Sequence, residues 1–187
     1  MFIQIQDTPN PSTLKFILGI EILPTGQSMS FKESNDCKAS NLAEQLLNIN
    51  GIESIFFSND FISITKSTVL EWHELKTIIV ATIVDYITAG LPILQIENVR
   101  VNNNVSTASV SDQDIVKQII EVINEKIRPN VAQDGGDVQF HSYENGVVYL
   151  TMHGACAGCP SATVTLKDGI ENMLQYYIPE VIRVEQI

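Results

Sequence analysis

Cysteine, basic side chains and long apolar runs are all scarce in this sequence of 187 residues. The 11 lysines and arginines are outnumbered by 22 aspartates and glutamates, so the formal net charge is −11. Nucleic acids and anionic membranes attract proteins with a surplus of positive charge, and we therefore expect neither as a partner. The longest apolar stretch, from Ile78 to Val84, is interrupted by Thr82 and is too short to span a bilayer.

The cysteines number 3, at Cys37, Cys156 and Cys159. An odd count with one close pair does not fit the disulfide framework of a small secreted protein. A Cys-x-x-Cys pair in an intracellular chain is more typical of metal binding or redox chemistry. The sequence begins Met-Phe-Ile-Gln-Ile-Gln-Asp, without a basic or long apolar region, so we expect no signal or transit peptide.

A stretch rich in Asn, Ser and Thr divides the chain. It runs over 98–110, lacks apolar periodicity and predicts a flexible linker between two domains, 1–97 and 111–187. On both sides, short strand-like segments alternate with helical apolar stripes, which predicts two small α+β domains. In the first, Ser40 is the expected N-cap of a helix.

The second domain is predicted to open with a helix that ends at Pro129. Segments 138–143 and 147–152 then read as an antiparallel hairpin, followed by the cysteine loop and by a helix that starts near Pro160. The sequence Asp-Gly-Gly-Asp over 134–137 lacks the lysine and the glycine spacing of a phosphate loop, and it predicts a turn that requires positive φ.

The segment around the cysteine pair carries the strongest chemical signal. Small residues surround both thiols, so we expect the thiols to be accessible. Cys159 falls at a predicted helix N-terminus, which favours the thiolate that binds soft metals or attacks disulfides. The spacing alone does not separate metal binding from redox activity, although an antiparallel hairpin before the pair disfavours a thioredoxin-like site.

Two thiolates are an incomplete set for a metal centre, because zinc and 4Fe–4S clusters usually take four protein ligands. His153 precedes Cys156 by three positions and is a weaker candidate for a third ligand. Cys37 lies in the other predicted domain and is expected to be a free or buried thiol. Two copies of the chain would complete a set of four thiolates, as a metal centre that bridges a homodimer.

Ordered motifs along the chain resemble a known family. The segments 128–138 (RPNVAQDGGDV), 154–161 (GACAGCPS) and 165–171 (TLKDGIE) resemble the NifU C-terminal-like (Nfu) domain. The segments 8–16 (TPNPSTLKF) and 51–57 (GIESIFF), with 60–66 (DFISITK), are similar to the Nfu N-terminal domain. The resemblance covers nearly the whole chain except the linker.

This resemblance implies an iron–sulfur cluster assembly and carrier protein rather than an enzyme. Cys156 and Cys159 would be the metal and cofactor ligands and would hold a labile 4Fe–4S cluster, or a 2Fe–2S cluster, between two subunits. An upstream assembly scaffold and apo iron–sulfur client proteins would be its partners. Mitochondrial relatives carry a targeting extension, so the start of this sequence predicts a bacterial cytoplasmic protein. A thiol–disulfide oxidoreductase and a zinc-binding interaction module remain alternatives that use the same cysteines.

Overall fold

The computed structural model describes residues 2–95, 112–157 and 160–187. The chain forms two compact units, Met1–Val101 and Asn102–Ile187. Both combine helices with a sheet, so the predicted α+β class is confirmed. The predicted linker, 98–110, lies outside the described residues, and its boundaries stay a prediction. None of the helices in the described residues has the length and apolar character needed to cross a membrane.

The first unit is built on a five-stranded antiparallel sheet with the order β1-β2-β5-β4-β3. The hairpin between the fourth and fifth strands turns at Ser58–Asp60. The strands Thr13–Ile17 and Phe61–Lys66 are buried on both faces, and polar residues such as Lys15 and Ser63 alternate along them with apolar ones. The strands are β1 (Gln4–Asp7), β2 (Thr13–Ile17), β3 (Met29–Phe31), β4 (Ile52–Phe57) and β5 (Phe61–Lys66).

A 3-10 helix (Ser34–Ala39) and two α-helices, α1 (Asn41–Leu47) and α2 (Trp72–Thr88), accompany this sheet. Ser40 caps α1 as predicted, because its Oγ accepts the Ala43 N–H at 3.2 Å. The same hydroxyl donates to the Ile93 carbonyl at 2.6 Å. The apolar sides of both helices join the sheet in one core, which contains fully buried side chains of Phe16, Leu42, Leu46, Ile62, Ile64, Ile79 and Ile83.

The second unit opens with a continuous helical stretch of three parts: α3 (Asp112–Val122), a π-helical turn (Ile123–Ile127) and α4 (Arg128–Gln133). The prediction that Pro129 ends the helix is wrong, since Pro129 lies in the first turn of α4. A proline ring clashes with the carbonyl four residues earlier in a regular helix. Here the Arg128 N–H bonds to the Ile123 carbonyl, five residues back, and this wider turn accommodates the ring.

The sheet of the second unit has the order β6-β7-β8. Strands β6 (Gly136–Glu144) and β7 (Val147–Gly154) form the predicted antiparallel hairpin. Its two-residue loop, Asn145–Gly146, has positive φ at both positions, at 51° and 82°. Helix α5 (Pro160–Tyr177) then leads to β8 (Arg183–Gln186), which pairs parallel to β7. The hairpin therefore brings the start of β6 beside the end of β7, where the cysteine segment begins.

Candidate functional site

Cys156 lies in a tight turn directly after β7. The turn is closed by the Ala157 N–H, which donates to the Gly154 carbonyl at 3.1 Å. Gly154 has φ +64°, a conformation that side chains other than glycine's rarely adopt. The glycine thus reverses the chain at the strand end and places Cys156 against the neighbouring strand.

The wall opposite the thiol is formed by Gly135, in the turn after α4, and by Gly136, the first residue of β6. Gly135 has φ +79°, so the predicted glycine turn is confirmed. Its carbonyl accepts the Ala155 N–H at 3.1 Å, which joins the two loops. A Cβ at Gly136 would overlap the Cys156 Sγ and would lie 3.0 Å from the His153 carbonyl oxygen. Gly136 therefore leaves the space that the thiol occupies.

The Cys156 thiol is buried, with 6% of the residue exposed. Burial, and then the negative charges of Asp134 and Asp137, raise the pKa of Cys156 from 9.0 to about 12. The expectation of accessible thiols is therefore wrong for Cys156. The small neighbouring residues allow close packing around the sulfur, which excludes water instead of admitting it.

An ion pair holds the strand opposite the cysteine turn. Asp137 accepts two hydrogen bonds from Arg128, one from Nε to Oδ1 and one from Nη2 to Oδ2, each 2.7 Å long. The two side chains are 18% and 7% exposed, so solvent screens the pair weakly. Arg128 also donates to the Asn124 Oδ1 at 3.2 Å. This arrangement fixes the start of α4 against the first residues of β6, next to Gly136.

Arg128 and Asp137 lie in one sequence motif, 128–138, but their pairing was not predicted from it. The signal that would find the pair is an arginine that shortly precedes an aspartate at the start of a strand, since a buried carboxylate needs a cationic partner. The separation of nine positions crosses a helix and a turn, so the pairing depends on tertiary structure. The pair holds the start of α4 against β6 next to Gly136, which faces the Cys156 sulfur.

The remaining candidates occupy different places. Cys159 lies outside the described residues, so its role as a second ligand stays a prediction. His153 is half-buried near the end of β7 and is paired with Asp137 in the strand register. Cys37 is buried in the first unit, as expected, and its Sγ donates to the Glu33 carbonyl at 3.6 Å. Within the described ranges, no group of three or more His, Cys, Asp or Glu side chains has the arrangement of a metal site.

Comparisons with known families match both units. Residues 119–185 match the model of the NifU-like domain, and residues 3–90 match the model described as scaffold protein Nfu/NifU N terminal. The two matches follow the order of the two compact units along the chain.

Relatives in insects match the full length of the chain. The chain is 47% identical over 188 residues to the "NFU1 iron-sulfur cluster scaffold homolog, mitochondrial" of Drosophila willistoni, covering 100% of this chain and 64% of that protein. The protein of the same name from Drosophila persimilis is also 47% identical, with 65% of its length covered. The chain thus spans slightly less than two thirds of the length of these relatives. A solution structure of a NifU-like protein from Saccharomyces cerevisiae is 29% identical and covers 51% of this chain and 85% of that chain, at a TM-score of 0.45.

The names of these relatives correct one prediction. They are described as mitochondrial proteins, so the prediction of a bacterial cytoplasmic protein is wrong. That prediction was based on the start of the sequence. A targeting segment is independent of the folded domains that follow it, and the first residues of a domain therefore do not report the compartment.

Proposed function

The chain belongs to the family of Nfu/NifU proteins, and from this premise we propose that it is an iron–sulfur cluster scaffold. We propose that Cys156 and Cys159 bind a 4Fe–4S cluster between two copies of the chain, and that the chain transfers the cluster to apo-proteins. The observation that supports the proposal most directly is the position of Cys156. It lies at a strand end, in a turn of small residues, with its sulfur against Gly136.

The donor set fits an iron–sulfur cluster. Thiolate sulfur is the usual protein ligand of such clusters, and two cysteines from each of two chains give the four ligands that a cubane takes. The space beside Gly136 is filled by the thiol itself, and Cys156 is buried, so a cluster reaches the sulfur only when the cysteine turn moves. The turn residues Ala155 and Ala157 have short side chains.

Cluster binding at Cys156 is coupled to proton release. With a pKa of about 12, the apo chain carries Cys156 as the neutral thiol at physiological pH. Formation of an iron–sulfur bond to Cys156 therefore releases one proton to solvent. In transfer, a thiolate of the client forms a bond to the same iron, the bond to Cys156 breaks, and Cys156 takes up a proton. Bonds and charges balance without an oxidant or a reductant.

The raised pKa favours release over retention. A shift of three pKa units makes the thiolate of Cys156 about 4 kcal/mol less favourable than that of an ordinary cysteine. A client cysteine with an unperturbed pKa binds iron without this cost. The burial and the two carboxylates around Cys156 thus suit a site that passes its cluster on, whereas a storage site would stabilise the thiolate.

The proposal also defines which partners the chain would bind. The cluster-bound form would be a homodimer, an upstream assembly scaffold would supply the cluster, and apo iron–sulfur proteins would receive it. The role would be non-catalytic, since the cluster is exchanged and no substrate is converted. The relatives' names point to the mitochondrion as the compartment.

Anaerobic reconstitution with iron and sulfide tests the proposal. We expect the full chain to bind one 4Fe–4S cluster for every two chains, measured by iron and sulfide analysis and by native mass spectrometry. Cys156→Ser and Cys159→Ser should each abolish stable binding, while Cys37→Ser, in the core of the other unit, should retain it. A complete cluster on one monomeric chain would contradict the bridging arrangement and would make His153 a candidate ligand.

The same preparation separates the alternative functions. A zinc module would bind zinc in place of the cluster and would lack sulfide-dependent absorption. A thiol–disulfide oxidoreductase would form a Cys156–Cys159 disulfide that cycles with a dithiol reductant. Transfer is measured separately, as activation of an apo-acceptor enzyme by the reconstituted dimer. Binding without transfer to any acceptor would contradict the carrier role.

A further inference from the structure

Helix α2 carries more apolar surface than its own domain uses. One stripe of the helix packs into the core through the buried side chains of Leu75, Ile79 and Ile83. Apolar residues also occur outside this stripe, and Val80 and Val84 are only half-buried. A helix that covers one sheet needs a single apolar stripe. Apolar residues on its other sides indicate a second contact surface.

A groove lies between α2 and the strand β1. Its volume is about 540 Å³, and it is open to solvent along the edge of the sheet. Ile5 is the residue of β1 that lines the groove. Ile5 pairs with Phe16, which is fully buried among the helix-facing residues of the sheet, so Ile5 lies on the α2 side as well. The groove is lined by Ile5, Lys76, Thr77, Val80, Ala81, Val84 and Asp85.

The strand beside the groove is an edge strand. β1 is the outermost strand of the sheet, and within the described residues its single strand neighbour is β2. The outer row of backbone N–H and C=O groups along Gln4–Asp7 can therefore pair with an additional strand. Alternate side chains of such a strand would point toward α2 and into the groove.

A charged residue lies at each end of the apolar floor of the groove, which is formed by Val80, Ala81 and Val84. Lys76 and Asp85 are nine positions apart on α2, which corresponds to about 13.5 Å along a helix axis. Four positions of an extended strand cover nearly the same length, about 13 Å. Among the residues that the structure describes, neither side chain takes part in an ion pair.

We propose that this groove docks an extended segment of a partner protein, which adds a sixth strand to the sheet beside β1. The segment carries an acidic and a basic residue four positions apart, for Lys76 and Asp85, with an apolar residue midway that packs on Val80 and Val84. Backbone pairing supplies affinity, and the three side chains supply selectivity. This docking site belongs to the first unit alone and does not depend on cluster binding.

The test uses the full-length apo chain and a synthetic ten-residue peptide with this pattern. We expect the peptide to saturate the protein in a fluorescence titration and to slow hydrogen exchange of those amides in Gln4–Asp7 that point away from β2. Val84→Glu should weaken binding at least tenfold, because it places a charge on the apolar floor. Ile78→Glu, on the same helix but outside the groove, is the matched control and should change binding less than twofold.

Exchanging the charges at Lys76 and Asp85, and then those of the peptide, separates a loss of binding from a folding defect. The double variant Lys76→Glu with Asp85→Lys alters two positions at the rim of the groove and should weaken binding of the original peptide about fivefold, the usual range for surface ion pairs. A peptide with its two charges exchanged should recover this loss. Equal binding of both peptides to both proteins would overturn the proposal, as would no binding at all. Protection of the amides in Gln4–Asp7 that point away from β2, before peptide is added, would show that the edge is already paired and would also overturn the proposal.

Discussion

The reactivity of Cys156 provides a direct test of the site geometry. The double variant Cys37→Ser with Cys159→Ser leaves Cys156 as the only thiol. We expect this thiol to react slowly with an aromatic disulfide reagent in the native apo protein, and quickly after unfolding. The reason is the raised pKa of Cys156, about 12 in the folded chain against 9.0 for an unperturbed cysteine.

The expected slowing follows from two opposing effects. At pH 8 the thiolate fraction is about 900-fold smaller at a pKa of 12 than at 9.0. A thiolate of higher pKa is also more nucleophilic, by about 15- to 30-fold for three units at a Brønsted coefficient of 0.4–0.5. The net prediction is a rate about 30- to 60-fold lower in the native protein, before any steric protection by Gly136 and the turn.

The pH profile separates the pKa effect from simple shielding. The unfolded chain should reach a constant rate above pH 9, whereas the native chain should gain nearly tenfold per pH unit up to the onset of unfolding. Asp134→Asn should accelerate the native reaction by up to about fivefold, because removing an exposed charge is worth at most about 1 kcal/mol. Glu144→Gln, at the opposite end of β6, is the control and should have no effect.

Two results would refute the reasoning. A native rate within threefold of the unfolded rate would mean that Cys156 is exposed and has an ordinary pKa. A native rate that is slow but levels off near pH 9 would mean that steric shielding alone protects the thiol. In either case the argument that the site favours cluster release would lose its physical basis.

Local signals in the sequence predicted the elements that depend on local chemistry. The Ser40 cap, the hairpin over β6 and β7, and the start of α5 at Pro160 each follow from residue types at fixed positions in a turn or a helix end. The positive φ of Gly135 belongs to the same group. These features require no knowledge of what packs against them.

The features that sequence reasoning missed depend on contacts between distant residues. Pro129 was expected to end a helix, but the π-helical turn before it relieves the clash, and the apolar periodicity carries no trace of that turn. The cysteine segment was expected to be accessible because its residues are small. Small residues also allow neighbouring strands to pack closely, and the thiol of Cys156 is buried because its sulfur lies against Gly136. Whether a thiol is buried depends on the strand that packs against it, and the sequence motif alone does not show this packing.

The remaining predictions concern stability and the division between the two units. The free energy of unfolding of the apo protein should fall by up to about 4 kcal/mol between about pH 9 and pH 12. In this range the unfolded chain has lost the Cys156 proton, whereas the folded chain retains it. Denaturant titrations over this pH range, with Cys156→Ser as the control, measure the change. Gly136→Ala should destabilise the protein by about 1–3 kcal/mol in the same assay, because the added Cβ overlaps the Cys156 sulfur. Arg128→Ala should cost about 3 kcal/mol or more, since it leaves the Asp137 carboxylate buried without its cation, and Arg128→Lys should recover part of this loss. The segment 111–187 alone should fold and bind a cluster, because it contains its own apolar core and both cysteines of the pair. It should have a lower melting temperature than the full chain, because a segment of this length is near the size at which a single core is only marginally stable, and circular dichroism of both proteins measures the difference. Failure of this segment to take up iron and sulfide, while the full chain does so, would show that the first unit contributes to the cluster site.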